Sequence, residues 1–91
     1  MALHYIHAMQ TKTLAREFAP QIRVNAVAPG VIAWPEKQNM LSQTIKDQII
    51  QETPLKMHGD PTCIAQAVLA LLANPFITGQ VLQVDGGRSI S

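Results

Sequence analysis

One tyrosine, three histidines and a single cysteine hold most of the chemistry that this 91-residue sequence offers. Tyr5 and Lys12 raise the idea of a phenol beside an ammonium that lowers its pKa. They lie seven residues apart, about two turns and ~10 Å along one helical face, which is too far for contact. Both therefore read as ordinary helix residues. His4 and His7 share a helical face and His58 is distant in the sequence, with no third ligand in evidence, so solvated or interface roles are expected. Cys63 falls one turn into an apolar helix. A helix N-terminus can lower a thiol pKa, yet the setting reads as a small packing residue. One cysteine excludes an internal disulfide and any multi-cysteine zinc site.

The stretch Pro29-Gly30-Val31-Ile32 is of another kind. It follows a short apolar segment, and an open α/β sheet forms its ligand crevice beyond the C-terminal ends of its strands. A glycine there lets the main chain approach a ligand closely; the plain alternative is a turn that simply needs glycine. Trp34 follows in an irregular loop, Val31 to Lys37. Met40, Leu41 and Ile45 lie on the next amphipathic stretch, where packing would equally account for them.

Periodicity supplies the elements that must position these residues. Residues 2–18 read as a helix with Leu3, Ile6, Leu14 and Phe18 on one stripe, ended by Pro20. Arg23 to Ala28 reads as a strand apolar on both faces, as in a covered parallel sheet. A helix is expected from about Asn39 to Glu52, stopped by Thr53-Pro54. Asp60 is a good N-cap and Pro61 suits the first position of a third helix, whose run Ile64 to Ala73 is apolar except for Gln66. Such a helix must be covered on more than one side. Asn74-Pro75 closes it. A last strand, Gln80 to Val84, precedes the turn Asp85-Gly86-Gly87 and a four-residue tail. The fold class is α/β, in the order helix, strand, helix, helix, strand, with residues 1–91 forming one partial domain. Two strands cannot make a covered sheet, so the pattern reads as part of something larger.

Composition narrows the function classes. With 47% apolar and 14% charged residues the chain is not of a disordered type. At this length it buries only roughly 60–65% of its unfolded surface, so its stability margin is thin. A net charge of +1 without a basic block gives no footprint for nucleic acid. The longest apolar run is too short to span a bilayer, and no secretory pattern follows Met1. A soluble, cytoplasmic chain without a membrane partner is expected.

Several motifs then resemble the C-terminal third of short-chain dehydrogenases/reductases. They are Leu14-Ala15-Arg16-Glu17, Arg23-Val24-Asn25-Ala26-Val27-Ala28-Pro29-Gly30, Pro54-Leu55-Lys56, Gly59-Asp60-Pro61, Ile77-Thr78-Gly79-Gln80 and Val84-Asp85-Gly86-Gly87. The resemblance covers about residues 11–91, in the family order and at family-like spacing. Ala33-Trp34-Pro35-Glu36 is similar to the pteridine reductase branch. The resemblance implies a Rossmann-type doubly wound sheet, NADP(H) or NAD(H), and hydride transfer to a carbonyl or pterin substrate, in a family that forms dimers or tetramers. It implies that backbone groups of Pro29, Gly30, Val31 and Ile32 meet the nicotinamide carboxamide. It also implies that Trp34 covers the substrate, beneath a mobile lid carrying Met40 and Leu41. The first helix, the third helix and the last strand would be oligomer surfaces.

The family's proton donor is a tyrosine four residues before a lysine, a spacing that puts both on one helical face. Here Met9 stands four residues after Tyr5. Aligning Leu14 to Glu17 without gaps puts the lysine position at His4 and the tyrosine position just before Met1. If Ala2-Leu3-His4 instead matches the stretch after the lysine, both positions precede Met1. Nor do the glycines, at 30, 59, 79, 86 and 87, form a phosphate-binding turn opening a helix. No residue is therefore assigned as catalytic, and the isolated chain is expected to be inactive, as a truncated or frameshifted product would be. Two other expectations are a non-catalytic interaction module that pairs with a full-length relative, and an enzyme completed by a separately encoded N-terminal half.

Overall fold

The computed structural model describes the backbone of residues 2–30 and 43–90, and side chains over 8–30 and 43–90. Val31, Ile32, Trp34, Met40 and Leu41 lie outside the described residues, as do the side chains of His4, Tyr5 and His7. The elements are α1 (Ala2–Phe18), β1 (Ala26–Pro29), α2 (Gln43–Glu52), α3 (Pro61–Ala73) and β2 (Val81–Val84), followed by a 3-10 turn, Arg88–Ile90.

Helix α1 contains neither glycine nor proline, and Arg16 in its last turn complements the negative end of the helix dipole. It stops two residues before Pro20, as expected. The expected apolar stripe is not the face it buries, however. Leu14 and Phe18 are 44% and 46% exposed, and the buried side chains are Thr11 and Ala15, one turn apart. The small side chain of Ala15 allows the close approach of the Gly79 backbone: a Cβ at Gly79 would sit 3.4 Å from Ala15 Cβ.

β1 and β2 are parallel neighbours, pairing Ala26 with Val81, Val27 with Leu82, Ala28 with Gln83 and Pro29 with Val84. β1 begins three residues later than the hydropathy pattern predicts, because Arg23, Val24 and Asn25 are tied to the chain ahead of β2 instead. The Arg23 guanidinium donates to the carbonyls of Leu71 (2.8 Å), Leu72 (2.9 Å) and Ile77 (3.2 Å). It thereby satisfies two carbonyls in the last turn of α3, where a cation also suits the helix dipole. Thr78 Oγ1 accepts from Val24 N at 3.1 Å, and Val24 O accepts from Gly79 N at 2.8 Å. Asn25 donates to Ile77 O and accepts from Gln80 N, at 3.1 and 3.0 Å. This clasp brings the two strands into register.

α3 starts as expected. Asp60 accepts from Thr62 N at 2.8 Å and also from the Thr62 hydroxyl, and Pro61 occupies the first turn. α3 packs against both strands, but Leu69 and Leu72 remain 63% and 65% exposed, and Phe76 just beyond the helix 98%. Among the described residues Ala15 is the one buried apolar side chain. The radius of gyration is 15.1 Å, against about 12 Å for a compact chain of this length. The architecture is an extended, incomplete α/β unit. The last residues are not a plain tail, because Arg88–Ile90 close into the 3-10 turn.

Candidate functional site

The C-terminal ends of β1 and β2 lie side by side, where a parallel sheet opens its crevice. At the end of β1, Gly30 N donates to Val84 O at 2.9 Å, extending the ladder by one bond. A Cβ on Gly30 would fall 2.7 Å from Asp85 Cα, 2.8 Å from Asp85 Cβ and 3.2 Å from Asp85 O. Gly30 does not adopt a positive φ. Glycine is required here by a close backbone approach at the strand's C-terminal end, and not by the conformation of a turn: Pro29 belongs to β1 and Gly30 continues its ladder.

Asp85 organises the other side. Its carboxylate accepts from Gly87 N and Ser89 N, each at 3.0 Å, and Arg88 N donates to its carbonyl at 3.2 Å. Burial pushes its pKa up. Hydrogen bonds from the Ser89 side chain and from the Gly87 and Ser89 amides outweigh this and hold the carboxyl below its ordinary value. Gly86 and Gly87 take φ of +64° and +89°, a region that disfavours other residues.

The turn after α2 docks on this glycine pair. Leu55 N donates to Gly86 O at 3.0 Å. A Cβ on Gly86 would lie 2.7 Å from Thr53 Cγ2, and one on Gly87 would lie 3.2 Å from Pro54 Cβ and Cγ. Thr53 is buried, its hydroxyl donating to Ile49 O at 2.9 Å and so closing the last turn of α2. The segment carrying the expected lid is thus anchored at its C-terminal end to the loop after β2. A cavity of about 150 Å³ lies alongside, walled mainly by Thr53, Leu55, Met57, Cys63, Val84 and Gly86, with His58, Gly59 and Asp85 completing it.

The remaining expected groups do not converge. Lys12 Nζ donates to Gly79 O at 3.4 Å, which makes it a tether between α1 and the chain before β2. His58 Nδ1 lies 3.0 Å from its neighbour's Gly59 carbonyl. Cys63 is half-buried near the start of α3. Among the described residues no group of three or more His, Cys, Asp or Glu is placed to hold a metal, and no helix is long and apolar enough to cross a membrane. The structural weight of Arg23, Asn25, Thr53 and Asp85 escapes a reading by motif alone. Asn25 carried a signal: a polar residue in a strand covered on both faces must find partners.

A family model described as Enoyl-(Acyl carrier protein) reductase matches residues 5–89. The chain is 48% identical over 80 residues to the 3-oxoacyl-[acyl-carrier-protein] reductase FabG of Staphylococcus epidermidis, covering 85% of this chain and 32% of that protein. It is 47% identical over 81 residues to Carbonyl reductase family member 4 of Xenopus laevis, covering 88% of this chain and 33% of that one. A short-chain dehydrogenase/reductase of the glucose/ribitol dehydrogenase type from Brucella melitensis superposes with a TM-score of 0.77 at 41% identity, over 89% of this chain and 34% of that chain. A small-chain dehydrogenase solved in complex with NADPH superposes with a TM-score of 0.80 at 34% identity, over 99% of this chain and 42% of that chain. The chain spans about a third of the length of the relatives it matches. A family match that runs from α1 through the glycine pair, together with a solved family member that superposes over 89% of the chain at 41% identity, establishes that the chain belongs to the short-chain dehydrogenase/reductase family.

Proposed function

We propose that this chain forms the C-terminal part of an NADP-dependent reductase that converts a ketone, of the 3-oxoacyl thioester or simple carbonyl class, to an alcohol. The observation that carries this reading is the Gly30–Asp85 approach at the C-terminal ends of two adjacent parallel strands, the position at which open α/β sheets take their ligands. The relatives named for ketoacyl and carbonyl reduction support the substrate class, and the NADPH-bound structure supports the cofactor.

The loop 29–32 would meet the nicotinamide through its backbone. Pro29 has no amide proton, and the Gly30 amide is already used by Val84 O. The amides of Val31 and Ile32 would then be the donors to a carboxamide oxygen. When bound, the reduced nicotinamide supplies the hydride that the carbonyl carbon accepts. This chain's residues would orient the ring, and Trp34, Met40 and Leu41 would exclude water above the substrate. The proton for the new hydroxyl comes from a group that none of the described residues provides. The narrower pteridine reductase reading rests on Ala33 to Glu36 alone, so the proposal follows the ketoacyl and carbonyl relatives instead.

A chimera tests this. Residues 5–89 replace the matched third of the Staphylococcus epidermidis reductase, and NADPH oxidation is followed with a 3-oxoacyl thioester. Misplacing a reacting group by 1 Å costs about 10²-fold. Turnover within that factor of the parent is expected, and a soluble chimera without turnover overturns the proposal. A second reading, favoured by exposed Leu69, Leu72 and Phe76, is a non-catalytic module that associates with a full-length relative as a family homo-oligomer would. Failure of the two to co-elute removes it.

A further inference from the structure

We infer that Asp85 is a positioning residue: its carboxylate, by holding the loop after β2 in one shape, fixes the C-terminal end of β1 and the turn after α2 in a single relation to each other. The inference deepens the function proposed above and rests on it, because the end of β1 leads into the proposed cofactor loop and α2 follows the residues proposed to cover the substrate.

The need for such a residue lies in the loop itself. Gly86 and Gly87 both take positive φ, at +64° and +89°, and glycine loses more conformational freedom than any other residue when it is fixed. Two in succession make a weak link unless something ties them down. The tie is the Asp85 side chain. One carboxylate oxygen accepts from Gly87 N and the other from Ser89 N, each at 3.0 Å. Bonds to an ionised acceptor are stronger than those between neutral groups. Arg88 N donates to Asp85 O at 3.2 Å and Ile90 N to Gly87 O at 3.1 Å, which completes the turn.

Two neighbours lean on this loop through its main chain. On one side lies Gly30, so close to Asp85 Cα that a methyl group does not fit between them, and held there by its bond to Val84 O. On the other side Gly86 O accepts from Leu55 N at 3.0 Å. Thr53 and Pro54 fill the space that side chains at Gly86 and Gly87 would need, and Thr53 is itself buried. Close-packed contacts of this kind transmit a displacement rather than absorb it. The Arg88–Glu52 ion pair, 3.6 Å apart and partly exposed, adds little. The carboxylate of Asp85 is therefore the group whose loss loosens Gly30 and Leu55 together.

Two measurements decide the matter. The first is amide hydrogen exchange on the full chain. In Asp85→Asn one acceptor oxygen becomes an amino group that faces an amide donor, so one charge-assisted bond is lost. Gly30 and Leu55 should both exchange faster, by about tenfold. Ala26 and Gly79, bonded to Gln80 O and Val24 O at the opposite end of the strands, should be unchanged. An equal gain at all four amides is a general loss of stability and overturns the inference. So does a gain at only one of Gly30 and Leu55, or at neither. Ser89→Ala keeps the carboxylate and both amide bonds, and removes only the hydroxyl that bonds to it. It should speed the same two amides about two- to threefold, the lower end for a net hydrogen bond. This milder variant decides the question if Asp85→Asn does not fold.

The second measurement places Asp85→Asn in the chimera. A variant that only unfolds part of the enzyme lowers the apparent kcat and leaves both KM values where they were. Loss of a positioning residue should raise KM for NADPH and for the thioester together, by about three- to tenfold. Unchanged KM values overturn the inference. A chimera that is inactive before any substitution counts against the proposed function, and the exchange experiment then decides the role of Asp85 by itself.

Discussion

The substitution Gly30→Ala places a methyl carbon 2.7 Å from Asp85 Cα and 2.8 Å from Asp85 Cβ, distances that carbon atoms do not share without movement. Gly30 does not have a positive φ, so backbone conformation gives no objection to alanine. At such a site glycine to alanine would ordinarily stabilise by about 0.4–1 kcal/mol, through the unfolded chain. Here the neighbour is main chain and cannot swing aside, and overpacking of this kind costs about 1–3 kcal/mol. A contact of 2.7 Å with main chain belongs to the upper part of that range, about 2–3 kcal/mol, so the balance is a net loss of about 1–2.5 kcal/mol. With a urea dependence of about 1 kcal/mol per molar for a small protein, the unfolding midpoint should fall by about 1–2.5 M, at unchanged slope. Urea titration followed by far-ultraviolet circular dichroism reads this in the chain or in the chimera. Gly79→Ala is the informative control. Its new methyl meets Ala15 at an ordinary 3.4 Å, but φ is +74°, so its loss, about 1–2 kcal/mol, is conformational rather than steric. A Gly30→Ala midpoint equal to or above that of the parent would refute the close approach and, with it, the geometry of the crevice.

Arg23→Ala removes three hydrogen bonds from one cation and should destabilise by about 1–3 kcal/mol in the same titration. Arg23→Lys should recover little, because an ammonium cannot reproduce the planar fork that reaches Leu71, Leu72 and Ile77. The folded Asp85 carboxyl lies below its ordinary value near ~3.9, so its contribution is complete above that pH and is lost as pH falls through the lower folded value. Acid titration of Asp85→Asn should lack that part of the pH dependence; an unchanged acid limb would contradict the hydrogen-bond account. Isothermal calorimetry of the isolated chain with NADPH should show no binding, and a micromolar dissociation constant would contradict its assignment as a partial site.

Local signals in the chain were enough for the helices. Asp60-Pro61 and Asn74 bound α3 where capping chemistry says they must, and Pro20 stops α1, because caps and proline act within a turn of backbone. The turn at Gly86-Gly87 was equally legible, since turn chemistry is written in adjacent residues, and the motif at Pro29-Gly30 was visible as a motif. What they are for was not. Gly30 is glycine because Asp85, 55 positions later, needs the space. β1 starts at Ala26 rather than Arg23 because Arg23 and Asn25 bond to carbonyls some fifty residues away. The hydropathy stripe on α1 pointed to Leu14 and Phe18, whereas the packed face is Thr11 and Ala15, with the Gly79 backbone lying against the small side chain of Ala15. Periodicity reports which face is apolar. Which face is covered depends on what stands opposite it, and that is settled by contacts between residues far apart in the chain.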